Sequence, residues 1–478
     1  MKNNRRKFLR ISGLTGFGLA GTGLLPVASL AADNISKRQL DTTQKFAGEK
    51  HRQHFNMSGF AAPKLDKVRI GFIGLGNRGP AAVVRMSKIA GVEIKALCDL
   101  RPEMALKARE KIKDTPHDPV IYSGGPEEWK KLCEREDIDL IYIATPWELH
   151  TPMALYAMNN GKHAAVEVPA AITIDECWDL VKTSERTRKH CMMLENTCYD
   201  FFELMNLNMA RQGFFGEIIH GEGAYIHDFI PGIFSKEKWN MWRLRHNASR
   251  SGNLYPTHGL GPICQAMNIN RGDKMEFLVS VSSNDFVLGD MAKSLAREDS
   301  FYEQFVGMPY RGNMNVTTIK TNKGRTIMLQ HDVSSPRVYS RIHLLSGTKG
   351  AAMKYPLPGR ISTGHEAWFS EEEMKVLEEK YQPEIVKRIG ELAKKVGGHG
   401  GMDFMMDWRL IDCLRNGLPL DQDVYDAALW SSVFPLSEWS VANRSNSIDV
   451  PDFTGGSWQG NDPVDITLTH GGNTEIRL

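Results

Sequence analysis

The chain has 478 residues, 41% hydrophobic and 24% charged, with a net charge of +2. That is the balance of an ordinary globular protein of two or three domains with a large core, not of a disordered or fibrous chain, and nothing in it points to a nucleic-acid or anionic-membrane partner. The seven cysteines are odd in number, scattered, and free of CxxC or metal-ligand spacing, so they are expected as buried thiols, and no metal site is expected.

Residues 1–32 stand apart. Asn4-Arg5-Arg6-Lys7-Phe8-Leu9-Arg10 precedes a weakly apolar run ending in Ala31-Ala32, the order of a basic region, an apolar region and a small-residue cleavage site. Gly13, Gly16, Gly18, Gly21 and Gly23 interrupt that run and argue against a transmembrane helix. The paired arginines resemble a twin-arginine export signal, which implies export of a folded protein to the periplasm or medium. Removal of Lys2, Arg5, Arg6, Lys7 and Arg10 with the leader takes the net charge from +2 to −3.

Residues 33–63 are polar and without periodicity, and are expected as a mobile linker or surface arm. From Lys67 strands and helices alternate. Strands are expected at 68–73, 92–99, 138–145 and 163–167, and helices at 80–89, 104–113, 129–136, 153–160 and 174–188, the rhythm of a doubly wound parallel sheet. After about Asn196 longer strands follow at 218–225, 275–287, 313–321, 326–332 and 341–346, then helices at 404–416 and 424–443. That pattern predicts an α/β second domain with an antiparallel sheet, one face of it on the first domain. The divisions expected are 64–195, 196–443 and a C-terminal tail at 444–478.

Gly74, Gly76 and Gly79 follow the first strand directly and open a helix, and Asp99 closes the second strand twenty residues later. A glycine triplet alone is weak, but this context is the dinucleotide fingerprint of a Rossmann domain. Gly74 permits the tight turn, Gly76 the approach of backbone to pyrophosphate, and Gly79 close helix packing. The helix N-terminus faces the phosphates, and Asp99 accepts from the adenosine ribose hydroxyls. A carboxylate there repels a 2′-phosphate, so NAD is expected over NADP, with Arg101 either qualifying that preference or lying over the adenine.

Thr145-Pro146-Trp147-Glu148-Leu149-His150 and Glu167-Val168-Pro169 resemble the strand-end segments of the Gfo/Idh/MocA oxidoreductases, which imply a Rossmann domain plus an α/β domain with an open, mainly antiparallel sheet. That family carries a proton-transferring lysine where this chain has Val168, which can neither donate a proton nor hold a charge. Glu195-Asn196-Thr197-Cys198-Tyr199, Asn240-Met241-Trp242-Arg243-Leu244-Arg245 and Gly252-Asn253-Leu254-Tyr255-Pro256-Thr257-His258-Gly259-Leu260-Gly261-Pro262 narrow the resemblance. With them the chain, from Lys67 to about Asn443, is similar to glycoside hydrolase family 109, the NAD-dependent α-N-acetylgalactosaminidases. The resemblance implies oxidation of the sugar at C3, loss of the acidified C2 proton, elimination of the aglycone, addition of water, and reduction at C3 with retention at C1. The cofactor ends as it began and can stay bound outside the cytoplasm.

By resemblance Asn77, Arg78, Asp99, Trp147, Glu148, Leu149, His150, Glu167, Val168 and Asn196 line the NAD site; for His150 the alternative is a cap on the following helix. Tyr225, Arg243, Tyr255, Pro256, Thr257, His258 and Tyr339 correspond to the sugar-binding positions, although an aromatic in a strand is more often sheet face than ligand contact, and Arg243 is scarcely separable from Arg245. His258, in a glycine- and proline-rich loop, is the candidate to serve the C3 hydroxyl in place of the missing lysine. Tyr199, Tyr255 and Tyr339 compete for the C2 proton. His399, set among glycines, either closes over the site with Asp403 or leaves Asp403 to cap a helix. Expected partners are a glycoside or glycan terminus and the twin-arginine machinery, with a homo-oligomer left open; the competing functions are a periplasmic sugar oxidoreductase and a dinucleotide-binding protein without catalysis.

Overall fold

The computed structural model describes residues 37–477; the export leader expected at 1–32 lies outside them. Six parallel strands form the first sheet: β1 (Val68–Ile73), β2 (Val92–Asp99), β3 (Val120–Ser123), β4 (Leu140–Ile143), β5 (His163–Val166) and β6 (Cys191–Met193). Their order is β3-β2-β1-β4-β5-β6, the doubly wound arrangement, with the order reversing between β1 and β4. A ligand crevice belongs at that reversal, at the carboxyl ends of the strands. β4 is buried along its whole length, because helices cover both faces of a parallel sheet. Thr173 and Glu176 form a capping box that starts helix Ile174–Thr187.

The second sheet has eight strands: β7 (Ile218–Ile226), β8 (Met275–Ser282), β9 (Asn315–Thr321), β10 (Thr326–Asp332), β11 (Leu344–Gly347), β12 (Ala351–Met353), β13 (Arg360–Ser362) and β14 (Ile448–Asp449), ordered β13-β12-β11-β7-β10-β9-β8-β14. It is mainly antiparallel as expected, except that β7 and β10 run parallel. Two expected strands are shorter than their apolar patterns. β8 stops at Ser282 and helix Leu288–Glu298 follows, while β11 starts at Leu344 because Ile342 and His343 adopt left-handed backbone.

Of the two readings of 33–63, a mobile linker or a surface arm, the described part is a packed arm. Helix Lys37–Ala47 packs on helices Ile174–Thr187 and Val424–Ala442. The Trp178 indole donates to the Phe46 carbonyl (3.1 Å), and His51 meets Glu185 (2.8 Å). Only Thr43 and Ala47 of this helix are fully buried, with Leu40 and Phe46 half-buried beside them. So narrow a stripe on a polar helix leaves little periodicity to read. Residues 444–478 also run back over the body of the protein: β14 extends the second sheet, and the Trp408 indole donates to the Thr474 carbonyl (2.9 Å). All seven cysteines are buried and unpaired.

Candidate active site

The glycine turn has the backbone geometry that a dinucleotide fingerprint calls for. A Cβ on Gly74 would stand 2.6 Å from the Ala144 carbonyl, and one on Gly79 would stand 2.0 Å from the Gly74 carbonyl, so the fold itself requires both. At Gly76 a Cβ would meet only the tip of Arg101, at 3.1 Å, which leaves that backbone open toward the groove. Helix Gly79–Ser87 has no side chain capping its start, so its first N–H groups remain available to an anion. Asp99 ends β2, accepts from the Leu75 N–H (2.7 Å) and the Arg101 N–H (2.9 Å), and so also braces the turn. Asn196 adds a buried side-chain oxygen with no partner. An open glycine backbone, an uncapped helix start, a strand-end carboxylate and an orphaned amide oxygen together fit a dinucleotide.

Arg78, inside the turn, ties three segments. Its Nε donates to Glu167 (3.0 Å), and one Nη lies 3.1 Å from Asp403 and 3.2 Å from His399. Asp403 also accepts from the Asn196 amide (2.5 Å) and meets His399 (2.9 Å). Burial would raise the Asp403 carboxyl, but the hydrogen bond to His399 and the charges of Arg78 and Arg85 hold it well below the usual carboxylate range. Of the two alternatives, Asp403 therefore joins the site: Gly401 holds the N-cap position, and no side chain caps helix Met402–Asn416 there.

The 147–150 segment lies at the junction of the two domains. The Trp147 indole is 4% exposed and packs among Trp242, His246, Tyr255 and Phe434 of the second domain, with ring centroids 5.1–5.9 Å away. Leu149 packs against the core, and Glu148 holds His246 (3.1 Å) and Arg245 (3.5 Å). His150 is buried at the first position of its helix, with its ring nitrogens 2.7 Å from the Pro169 and Thr145 carbonyls. It lies between two strand ends and does not cap its helix, whose N-cap position is held by Leu149. Val168 is 4% exposed and belongs to the hydrophobic core.

The second domain supplies an aromatic wall. The Gly223 and Gly259 backbones touch: a Cβ on Gly223 would stand 2.3 Å from the Gly259 carbonyl. That contact lays helix Thr257–Ala266 on β7, with Pro256 at the N-cap position and Thr257 fully buried. It brings the His258 ring within 5.5 Å of Tyr225 and 4.9 Å of Tyr255, centroid to centroid. His258 Nδ1 lies 2.7 Å from Oε1 of Glu195, whose side chain is wholly buried while that of His258 remains 14% exposed. Burial would raise the Glu195 carboxyl, yet His258 and the Thr197 hydroxyl outweigh it and hold it low. A buried carboxylate on one imidazole nitrogen fixes the ring and leaves the other nitrogen to exchange a proton, the arrangement of an oriented general base.

Tyr339, 38% exposed, stands edge-on to Tyr225 at 6.4 Å, and Tyr225 shares a hydrogen bond with His227 (3.1 Å). Burial pushes the Tyr225 phenol up to about 12 and Tyr255 well above its usual value, while the positive charge of Arg243 opposes both. The Arg243 guanidinium lies 4.4 Å from the Trp242 ring centroid and 5.3 Å from that of Trp147, whereas Arg245 turns to Glu148. The pair indistinguishable by sequence is thus separated. Trp147, Tyr225, Arg243 and Tyr255 line a cavity of about 20 Å³. Tyr199 falls outside this wall. Its hydroxyl is buried against Asp421 (3.2 Å), and burial raises it well above its usual range.

Glu195 was present in a motif but carried no role by sequence, since nothing local ties it to a histidine 63 residues on. Asp403 and the contact between Gly223 and Gly259 are equally nonlocal.

The family description "Glycosyl hydrolase 109, C-terminal domain" matches residues 199–460, and "Oxidoreductase family, NAD-binding Rossmann fold" matches 68–195. The chain is 46% identical over 456 residues to glycosyl hydrolase family 109 protein 1 of Phocaeicola vulgatus, covering 92% of this chain and 94% of that one. It is 49% identical over 408 residues to an alpha-N-acetylgalactosaminidase of Bacteroides fragilis, covering 84% and 95%. Among solved structures, a levoglucosan dehydrogenase in complex with NADH and levoglucosan superposes with a TM-score of 0.61 at 16% identity, covering 80% of this chain and 99% of that one, which shows a shared fold. With relatives matched over nearly the full chain and both domains accounted for, the protein belongs to glycosyl hydrolase family 109 and carries an NAD-binding Rossmann domain.

Proposed function

We propose that this chain is an exported glycosidase that removes terminal α-linked N-acetylgalactosamine with retention, keeping NAD bound through each cycle. The observation that carries this reading is the pair of Glu195 and His258 at 2.7 Å, set among Tyr225 and Tyr255, in a chain whose family lysine position is a buried valine. A proton-handling group is thus supplied from the second domain. Bound in the glycine groove, NAD supplies a reversible hydride acceptor for the sugar's C3.

His258 takes the C3 hydroxyl proton and returns it, with Glu195 stabilising the charged imidazole. Tyr255 and Tyr339 are the remaining candidates for the C2 proton, and the Arg243 cation lowers the cost of a phenolate at Tyr255. Arg78 and Asp403 hold the two domains across the groove. The relative of stated N-acetylgalactosamine specificity supports the choice of sugar. The twin-arginine leader supports export, because a protein that folds around its cofactor before export needs no nucleotide outside.

The test is to incubate the purified protein with a chromogenic α-N-acetylgalactosaminide and no added nucleotide. Release of chromophore without lasting NADH absorbance is expected. Accumulating NADH with uncleaved glycoside would instead identify a sugar oxidoreductase. Replacing Arg5 and Arg6 with lysine is expected to leave the protein in the cytoplasmic fraction.

A further inference from the structure

Residues 227–249 leave the second sheet, cross to the Rossmann domain and return. The far base of this strap is tied to the end of β4, where Glu148 holds His246 and Arg245. At its apex Trp239 is 44% exposed, a large aromatic left partly open to solvent. The two residues after it, Asn240 and Met241, are both left-handed, with φ of 48° and 43°. Two adjacent non-glycine residues in that region are costly, and such strain persists where a particular placement is required.

The placement delivered is Trp239 against Arg101, whose guanidinium carbon lies 5.9 Å from the ring centroid. Arg101 is also the residue over the open face of Gly76, and its Nε is 3.5 Å from Asp99. Trp239 therefore stands at the outer rim of the groove between Gly76 and Asp99, which is the adenosine end of the dinucleotide fingerprint.

We propose that Trp239, with Arg101, is a latch over the adenosine end of the cofactor, through which the second domain keeps the dinucleotide from leaving. This rests on the reading above that NAD is resident. A cofactor reoxidised within each cycle has no need to exchange, and outside the cytoplasm its loss cannot be made good. An aromatic face and a guanidinium plane are the surfaces that hold a purine by stacking and cation–π attraction.

The test compares retention of NAD in purified wild-type protein, Trp239→Ala, Trp239→Phe and Arg101→Ala, by gel filtration at high dilution and assay of the nucleotide left on the protein over time. Trp239→Ala is expected to lose NAD roughly tenfold faster, the size of one lost stacking contact, and Trp239→Phe to stay close to wild type. Trp239→Ala combined with Arg101→Ala should lose it little faster than Arg101→Ala alone, because the two act as one latch. Melting temperatures should be unchanged in apo protein, since Trp239 is an exposed side chain. Equal retention in wild type and Trp239→Ala overturns the latch and leaves resident NAD standing, as does an effect of Trp239→Ala confined to the KM for glycoside. Wild-type protein that neither carries nor takes up NAD overturns the resident cofactor and the latch with it.

Discussion

The two sides of the cleft hold their functional groups by different means. On the Rossmann side the backbone does most of the work: Gly79 is required by the Gly74 carbonyl within the same turn, Gly74 by the Ala144 backbone at the end of β4, and Asp99 braces the Leu75 N–H twenty-four residues away. On the other side single side chains are locked by partners far off in sequence. His258 is oriented by Glu195 and packed beside Tyr225 and Tyr255, and Tyr255 in turn stacks on Trp147 of the first domain. A binding groove built from local backbone tolerates changes in side chains around it, whereas a proton-transfer group placed by a chain of pairings is sensitive to each of them.

The sharpest way to break this comparison is at His258 itself. His258→Ala removes the group assigned to the C3 hydroxyl and is expected to lower kcat by roughly 10²- to 10⁴-fold, the usual contribution of a general base. Bound NAD should be unchanged, since the glycine groove lies on the other side. Turnover and exchange of the C2 hydrogen with solvent that both survive the substitution would remove His258 from the chemistry.

Glu195→Gln keeps the shape and deletes the charge. A fall in kcat of roughly 10- to 100-fold is expected with KM little changed, because an oriented, charge-stabilised imidazole matters most in the transition state. The pH dependence of kcat should move along with it. A change in KM alone would make Glu195 a packing residue.

Gly79→Ala and Gly76→Ala separate what the fold requires from what the ligand requires. The first places a methyl 2.0 Å from the Gly74 carbonyl and is expected to cost about 1–3 kcal/mol of stability, read from chemical denaturation. The second meets only the movable tip of Arg101, so stability should hold while NAD affinity falls. Equal destabilisation by both would mean that Gly76 is also structural.

This difference explains how far the molecule was legible in its sequence. Apolar runs and the glycine turn carry local periodicity, and they located the parallel sheet, the groove and the acid at Asp99. The narrow apolar stripe of helix Lys37–Ala47 and the left-handed break before β11 carry no such signal and were misread or misplaced. Within the site, Tyr255, His258 and Tyr339, grouped with Tyr225 by motif resemblance, have ring centroids 4.6–6.4 Å from that of Tyr225, but resemblance gave no role to Glu195. Nor could it show that the hydroxyl of Tyr199 points elsewhere, because that depends on where Asp421, 222 residues on, is folded.

Tyr199→Phe therefore gives the smallest expected effect and the finest test. The hydroxyl donates to Asp421, which keeps Arg409 against both of its oxygens at 3.0–3.2 Å, so the aspartate is not left unpaired when the phenol is lost. The cost should be about 1 kcal/mol in stability, that of one buried hydrogen bond. Activity should stay within about twofold, because no reacting atom loses a partner when a group outside the aromatic wall is changed. A loss beyond tenfold with unchanged stability would return Tyr199 to the contest for the C2 proton, and would require the segment 195–199 to turn its phenol toward the cleft when substrate is bound. Since Glu195 lies in the same segment, that movement would also loosen His258, and the rate lost in Tyr199→Phe and in Glu195→Gln would then fail to add.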